Sequence, residues 1–343
     1  KTDGRHAGVV FGVDLEQDLA RRDFTINAIA YHPLRHAWRD PFDGQGDLER
    51  KLVRAVGDAA ERFREDYLRI LRALRFAGRF GFEIDPATWE AAKANAGGLE
   101  HLSAERVREE WFRGLETSRR PSELLRLWCE IGAVELWMRE VRCAQYVVRG
   151  KQGAGHGAQE GATTVIDRLG GSDPVLLTAY LSDDPGATLA RLKCSTAEIE
   201  RGREIGRMRD TWPDPASRAA VRRWMSEALD VVDDLLAIRI AEGKDGELAR
   251  AVAETRAAKA PLRVGDLAVN GDDLIAAGIP EGPEIGNTLR RLLDEVLEDP
   301  QLNTKDRLLR SIPEASTRRT AHSAQGSAHS PQRGRGGGAR KRK

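Results

Sequence analysis

The chain has 343 residues, 40% of them apolar and 32% charged, with a net charge of +1. That length gives room for two or more domains, and the balance is that of an ordinary soluble protein. No run of about 18 apolar residues occurs, which argues against a membrane-spanning helix.

In chain order, Val9–Val13 has the apolar run of a strand end, and "DLEQDLARRD" leads into a short helical or mixed segment through Tyr31. Asp40–Lys51, "DPFDGQGDLERK", reads as a Gly-hinged loop, and "LVRAVG" after it as a short strand. From Glu61 the pattern turns strongly helical: Leu68, Leu71, Leu74 and Ala77 recur at helical spacing with arginines between them. Asp85-Pro86 makes a helix start, with Asp as N-cap and Pro in the first turn. Helical patterns continue through "SAERVREEWFRGL", "PSELLRLWCEIGAVELWM", "DPVLLTAYL", "STAEIERGREIGRM", "SRAAVRRWMSEALDVVDDLLAIRI" and "PEIGNTLRRLLDEVLED". Residues 149–162 form a Gly-rich break, read as a surface linker because no βαβ unit surrounds it. Strand signals nearly vanish after residue 60, so the fold class is α+β: a small mixed piece and then a long all-helical remainder.

Trp128 and Trp137 read as core aromatics, and "RRLLDEVLED" as a helix with one apolar face. From Glu314 onward eight lysines or arginines face a single glutamate, so the residues before it are net negative. That tail lacks apolar periodicity and is expected to be disordered. It is either a phosphate-attracting arm for RNA or a solvated extension.

Few residues suggest metal or thiol chemistry. Cys129, Cys143 and Cys194 are scattered, odd in number and contain no CxxC pair, so reduced thiols of a cytosolic protein without a zinc site are expected. His32 and His36 can share a helix face near Asp40, as metal ligands do, but the intervening Pro33 predicts a turn.

Two stretches carry polar chemistry. In "RFREDYLRILRALRF", Asp66, Arg69, Arg72 and Arg75 are three apart, which on one helix makes an inclined ridge of a carboxylate and three guanidiniums. A solvated face with an Asp–Arg pair is one reading. The other is base recognition, with the carboxylate accepting from an exocyclic amine, one guanidinium donating to ring atoms, and the others holding phosphates. In "RRDFTINAIAY", Arg21 and Arg22 can neutralise a triphosphate. Asp23 can accept from ribose hydroxyls, with Asn27 orienting the same group, or it can simply be a helix N-cap.

The order and spacing of "RRDFTINAIAY", "DPFDGQGDL" and "REDYLRILRALRFAGRFGF", with "GDLAVNGDDLIAAGIPEGPEIGNTLRRLLDEVLEDPQLNTKDRLL" further on, resemble the class II CCA-adding enzymes and their bacterial poly(A) polymerase relatives. The resemblance runs from about residue 3 to about residue 309. It implies a nucleotidyltransferase α/β head, here partial (1–52), followed by an elongated helical neck that reads nucleobases (53–118), a body (119–210) and a tail (211–313). Residues 314–343 would be the disordered basic extension. It implies an enzyme that adds C, C and A to tRNA 3′ ends from CTP and ATP without a nucleic-acid template, with Mg2+ and the tRNA acceptor region as partners.

By the same likeness Arg22 and Asp23 belong to the triphosphate and ribose motif. Asp66 and Arg69 match the pair that reads CTP or ATP, extended by Arg72 and Arg75. Asp40 to Leu48, with Gly44 and Asp47, resembles a flexible loop that assists the switch from C to A addition. Asp43 stands where the family more often has a small or neutral residue. The family's metal-binding DxD pair has no counterpart in residues 1–60, and Asp14 and Asp18 are not read as replacements. No catalytic or metal residue is therefore assigned, and the chain alone is expected to bind nucleotide or tRNA without transferring. The alternatives are a poly(A) polymerase, an enzyme adding only CC or only A, or a non-catalytic RNA-binding fragment. The sequence leaves the oligomeric state open.

Overall fold

The computed structural model describes residues 14–141, 165–169, 173–244 and 246–312. The expected strand at Val9–Val13, the Gly-rich stretch 149–162 and the basic tail lie outside the described residues. The described residues form two units. One holds those up to Trp212 together with Asp230–Gly246, and the other holds Pro213–Leu229 with those from Glu247 onward. The fold class is α+β, as expected.

The first unit opens with α1 (Leu15–Ala20), whose first turn is capped by the Asp14 side chain. A 3-10 turn over Thr25–Asn27 follows. Strands β1 (Ala30–His32) and β2 (Ala37–Arg39) then form an antiparallel hairpin with Tyr31 opposite Trp38. The turn expected at Pro33 is present: His32 closes β1, and His36 takes a left-handed φ of 45° before β2. Strand β3 (Leu52–Val53) pairs in parallel with β4 (Glu83–Ile84). Beside it Thr25 N donates to Arg54 O at 2.9 Å and Val56 N to Asp23 O at 3.2 Å, so residues 23–25 are stitched along residues 54–56.

Asp40–Lys51 is not the expected loop. It contains helix α2 (Gly44–Arg50). Asp40 reaches forward to start it, its two carboxylate oxygens accepting from Gly44 N at 2.7 Å and Gln45 N at 2.8 Å. Gly44 serves close approach rather than hinging, since a Cβ there would meet the Thr25 carbonyl oxygen at 2.2 Å.

The ridge of four charges on one helix is also corrected. Helix α3 (Ala59–Glu65) ends at Asp66, which is extended (φ −156°, ψ 104°), and α4 runs from Leu68 to Phe80. The Asp66 carboxylate accepts from Leu68 N at 3.1 Å, competing for a backbone donor that a continuous helix would use. Arg69, Arg72 and Arg75 therefore share α4, while Asp66 stands at its entrance.

Behind α4, the buried Ile70, Leu71 and Leu74 belong to one core with Trp111 of α6 (Ala104–Thr117) and with Leu124, Leu125 and Trp128 of α7 (Pro121–Glu130). The Trp111 and Trp128 rings lie 4.9 Å apart, and Trp111 donates to Thr178 at 2.9 Å. Trp137, half-buried, donates to Leu99 O at 3.3 Å. Both tryptophans are core residues, as expected. The Asp85 cap on α5 (Pro86–Ala94) holds as well, accepting from Thr88 N.

Two predicted helices are broken where the backbone turns left-handed. Gly132 (φ 79°) separates α7 from α8 (Ala133–Trp137). Leu229 (φ 39°) separates Arg218–Ala228 from Val232–Ala241, which fall in different units. In the second unit, Pro283–Glu298 buries Leu292, Leu293, Val296 and Leu297 on one face, as expected. Burial pushes the free thiol of Cys194 up to about 11. Cys129 is disulfide-bonded, against the expectation of reduced thiols, and Cys143 lies outside the described residues. No described helix is long and apolar enough to cross a membrane.

Candidate functional site

The segment Arg21–Asp23 leaves α1 and runs beneath α4, and two arginines of α4 reach back to it. Arg69 donates to the Arg21 carbonyl at 3.1 Å. Arg72 donates to Asp23 Oδ2 through Nε at 2.7 Å, and its Nη2 lies 2.7 Å from the same oxygen as an ion-pair contact. The other oxygen of Asp23 accepts from Phe24 N and from Asn27 Nδ2, both at 3.0 Å. Asp23 is thus buried, with three hydrogen bonds and an ion-pair contact on its carboxylate. It is not the N-cap of a helix, because Phe24 precedes the 3-10 turn in that place.

Below this junction Phe24, Val53 and Phe76 are buried together, with Phe24 and Phe76 edge to face at 5.7 Å. The Arg72 and Arg75 guanidiniums lie 5.4 and 4.3 Å from the Phe76 ring centre. Aromatic faces hold such cations in place without neutralising them.

Arg21 and Arg22 are exposed, and both bind Asp18, Arg22 at 2.8 Å and Arg21 through two nitrogens. The guanidiniums of Arg22 and Arg21 hold the Asp18 carboxyl below the usual carboxylate range. At the entrance of α4, Asp66 accepts from Arg106 at 2.7 Å, and Arg69 pairs with Glu65 at 2.6 Å. These two pairs lie at the surface, where an ion pair contributes about 0–1 kcal/mol. Asp66 is therefore held in place yet releases its partner at small cost, whereas Arg69, more buried, also donates to the Arg62 and Arg21 carbonyls and is held more firmly.

Arg75 differs from the other predicted site arginines. It is buried and donates to Glu110 Oε2 at 2.6 Å, while Arg72 approaches the other Glu110 oxygen at 3.7 Å. Glu110 was not singled out from sequence, although a signal exists. On α6 it sits within the buried stripe of Val107, Trp111, Gly114 and Leu115, where a carboxylate needs a cationic partner.

Asp47, expected in a flexible loop, is a brace. Its side chain is fully buried, accepting from Thr25 at 2.6 Å, Arg50 at 2.7 Å and Arg54 at 2.8 Å. It fastens α2 under the Thr25–Asn27 turn and so fixes the height of Asp23 and Asn27. Burial works against its charge, but the hydrogen bonds from Thr25, Arg50 and Arg54 prevail and hold its carboxyl below the usual range.

Chemically the arrangement offers exposed guanidiniums for phosphate oxygens and, at the entrance of α4, an acceptor–donor pair of the type that reads a base edge.

Two family models match the chain: the poly A polymerase head domain over residues 1–54, and the probable RNA and SrmB-binding site of polymerase A over residues 81–143. A CCA-adding enzyme of Limosilactobacillus fermentum is 31% identical over 90% of this chain and 74% of its own length. That of Geobacillus thermodenitrificans is 33% identical over 92% of this chain and 78% of its own. Among solved structures, the Bacillus stearothermophilus CCA-adding enzyme in complex with CTP superposes with a TM-score of 0.71 at 27% identity. The match covers 91% of this chain and 76% of that one.

Two outcomes follow from the buried groups. Arg75→Met leaves Glu110 charged and without its closest partner, and stability to urea should fall by about 3–5 kcal/mol. The Asp47 contribution to stability is complete above the unfolded-state value of about 3.9 and is lost as pH falls through the lower folded-state value. Asp47→Asn should therefore flatten the acid side of the stability–pH curve, as read by urea titrations at stepped pH. An unchanged slope would show that the Asp47 network does not feel the proton.

Proposed function

The chain belongs to the CCA-adding enzyme family, and from that premise we propose that Arg21–Asp23 and the start of α4 bind CTP and ATP for addition to tRNA 3′ ends. The observation that carries this reading is the reach of Arg69 and Arg72 back to Arg21 and Asp23, which joins the triphosphate-type segment to the base-reading pair.

In this reading Arg21 and Arg22 exchange Asp18 for phosphate oxygens. Asp66 accepts from the exocyclic amine of cytosine or adenine, and Arg69 donates to the neighbouring ring atoms. Guanine and uracil place a carbonyl where that amine stands, so the carboxylate of Asp66 opposes an acceptor and rejects them. Arg72 is fixed by Asp23 and Glu110 and positions the site. Ribose recognition through Asp23 competes with the three donors already on its carboxylate, of which Asn27 is the side-chain donor without charge. Arg75 is buried support rather than a nucleotide ligand. The division into head (1–52), neck (53–118), body (119–210) and tail (211–313) belongs to the same proposal.

The resemblance implies Mg2+, whose chemistry, if bound, would be to assist the attacking hydroxyl and the leaving pyrophosphate. The described residues do not fit that ion. No three His, Cys, Asp or Glu side chains among them stand together, Asp18 faces two guanidiniums, and Asp14 caps α1. The roles of these residues are accordingly nucleotide binding and base selection.

A second reading, poly(A) addition, is favoured by the description of the head-domain match. The product formed on a tRNA trimmed of its CCA separates the two: extension halts after three nucleotides in one case and grows into a ladder in the other. For the site itself, calorimetry should show Asp66→Ala weakening CTP binding about 10- to 150-fold, the loss of a charged hydrogen bond of roughly 1.5–3 kcal/mol. The preference for CTP over UTP should collapse with it. Unaltered CTP affinity in Asp66→Ala would sink the assignment.

A further inference from the structure

Exposed large apolar side chains concentrate in one place in the first unit. Among the described residues, the exposed aromatic ones are Tyr31 (45%) and Trp38 (59%), and Leu34, in the turn between their strands, is 87% exposed. All three lie on the β1–β2 hairpin. Tyr31 and Trp38 are directly paired across it, so their side chains share a face. Their ring centres are 4.6 Å apart at 42°, and the Tyr31 hydroxyl is hydrogen-bonded to His36 Nδ1 at 2.8 Å. The rings are thereby held as a platform rather than left as independent side chains.

Within the hairpin itself the ionisable side chains are all basic. The hairpin sequence AYHPLRHAWR contains Arg35, Arg39, His32 and His36 and no carboxylate. Paired aromatic faces with cations nearby are what single-stranded RNA binds: bases stack on the rings, and phosphates meet the basic side chains. The location agrees. Tyr31 is four residues beyond Asn27, at most about 14 Å of extended chain. At the foot of the hairpin Ala30 and Phe42 pack on Leu19, Ala28 and Val56, which ties the ribbon to the frame that carries Arg21–Asp23.

We infer that the Tyr31–Trp38 face stacks an unpaired base of the RNA strand whose 3′ end enters the nucleotide site. This rests on the reading of the site as one that extends RNA.

The test uses the full chain and two labelled RNAs: a tRNA acceptor hairpin with an unpaired 3′ overhang and the same hairpin made blunt. Fluorescence anisotropy at one fixed salt concentration gives each affinity, and calorimetry with CTP serves as the control. Trp38→Ala should weaken the overhang RNA about 5- to 150-fold, the range for one stacked base. It should leave the blunt RNA and CTP unchanged, and Trp38→Phe should restore most of the loss. Trp38 is well exposed, so the fold is not at stake, and circular dichroism verifies this. Equal affinity of wild type and Trp38→Ala for the overhang RNA would overturn the inference while leaving the nucleotide site standing. So would equal losses on both RNAs, or a dimer that Trp38→Ala converts to a monomer. If the wild type binds CTP but neither RNA, the RNA-extending reading itself fails and takes the platform with it.

Discussion

The ion pair between Asp23 and Arg72 is the constraint on which the site depends. It joins residues 49 positions apart and places a largely buried carboxylate against a guanidinium that Phe76 and Glu110 also hold. A carboxylate with so little water around it is tolerable only with its acceptor positions filled. Asn27, Phe24 N and Arg72 supply three hydrogen bonds to it. The consequence is geometric. The segment after α1 cannot drift from α4 without uncovering a charge, so Arg21 and Arg22 keep a defined relation to Asp66 and Arg69.

A second buried carboxylate repeats the logic from below. Asp47 binds Thr25, Arg50 and Arg54, and Gly44 lets α2 approach the Thr25 carbonyl more closely than any side chain would allow. Between Asp47 underneath and Arg72 above, the Thr25–Asn27 turn is held from both sides. The fixed frame is therefore built on buried carboxylates, whereas the carboxylates beside the groups offered to a ligand are open to water: Asp18 with Arg21 and Arg22, Asp66 with Arg106, and Glu65 with Arg69. Buried pairs are costly to break and surface pairs are not. Burial of the carboxylate thus sorts the pairs into scaffold and reader; the arginines do not sort this way, since Arg69 is less exposed than Arg72.

That sorting explains what the sequence showed and what it hid. Apolar periodicity revealed α4, α6 and α7, and local cap chemistry revealed the start of α5 at Asp85. The charged motif at Arg21–Asp23 was visible because arginines beside an apolar run are costly without a partner. Hidden were features decided by distant partners. Spacing of three suggested one ridge from Asp66 to Arg75, but Asp66 commits its carboxylate to Leu68 N and ends α3 instead. Arg75 looked equivalent to Arg72 until Glu110, 35 residues away, drew it inward. The glycines of Asp40–Lys51 suggested a hinge, because nothing local reveals that Asp47 is buried against Thr25. The break at Leu229 likewise has no glycine or proline to announce it.

A reader of bases made of protein has two opposed requirements. Its donor and acceptor must be placed well enough that a wrong base leaves a buried polar group unpaired, for that penalty is the source of discrimination. They must also give up their resting partners readily, or binding energy is consumed in freeing them. Helix α4 meets both through its register. Arg72 and Arg75 are anchored one and two helical steps below Arg69, while at the upper end water reaches Asp66 and Glu65, the carboxylate partner of Arg69. The anchored turns hold the direction of the helix, and the free turn presents the pair. Rotating α4 enough to move Asp66 and Arg69 off a base edge would first have to break Arg72 from Asp23 and Arg75 from Glu110, so the precision of the exposed pair comes from the two pairs beneath it.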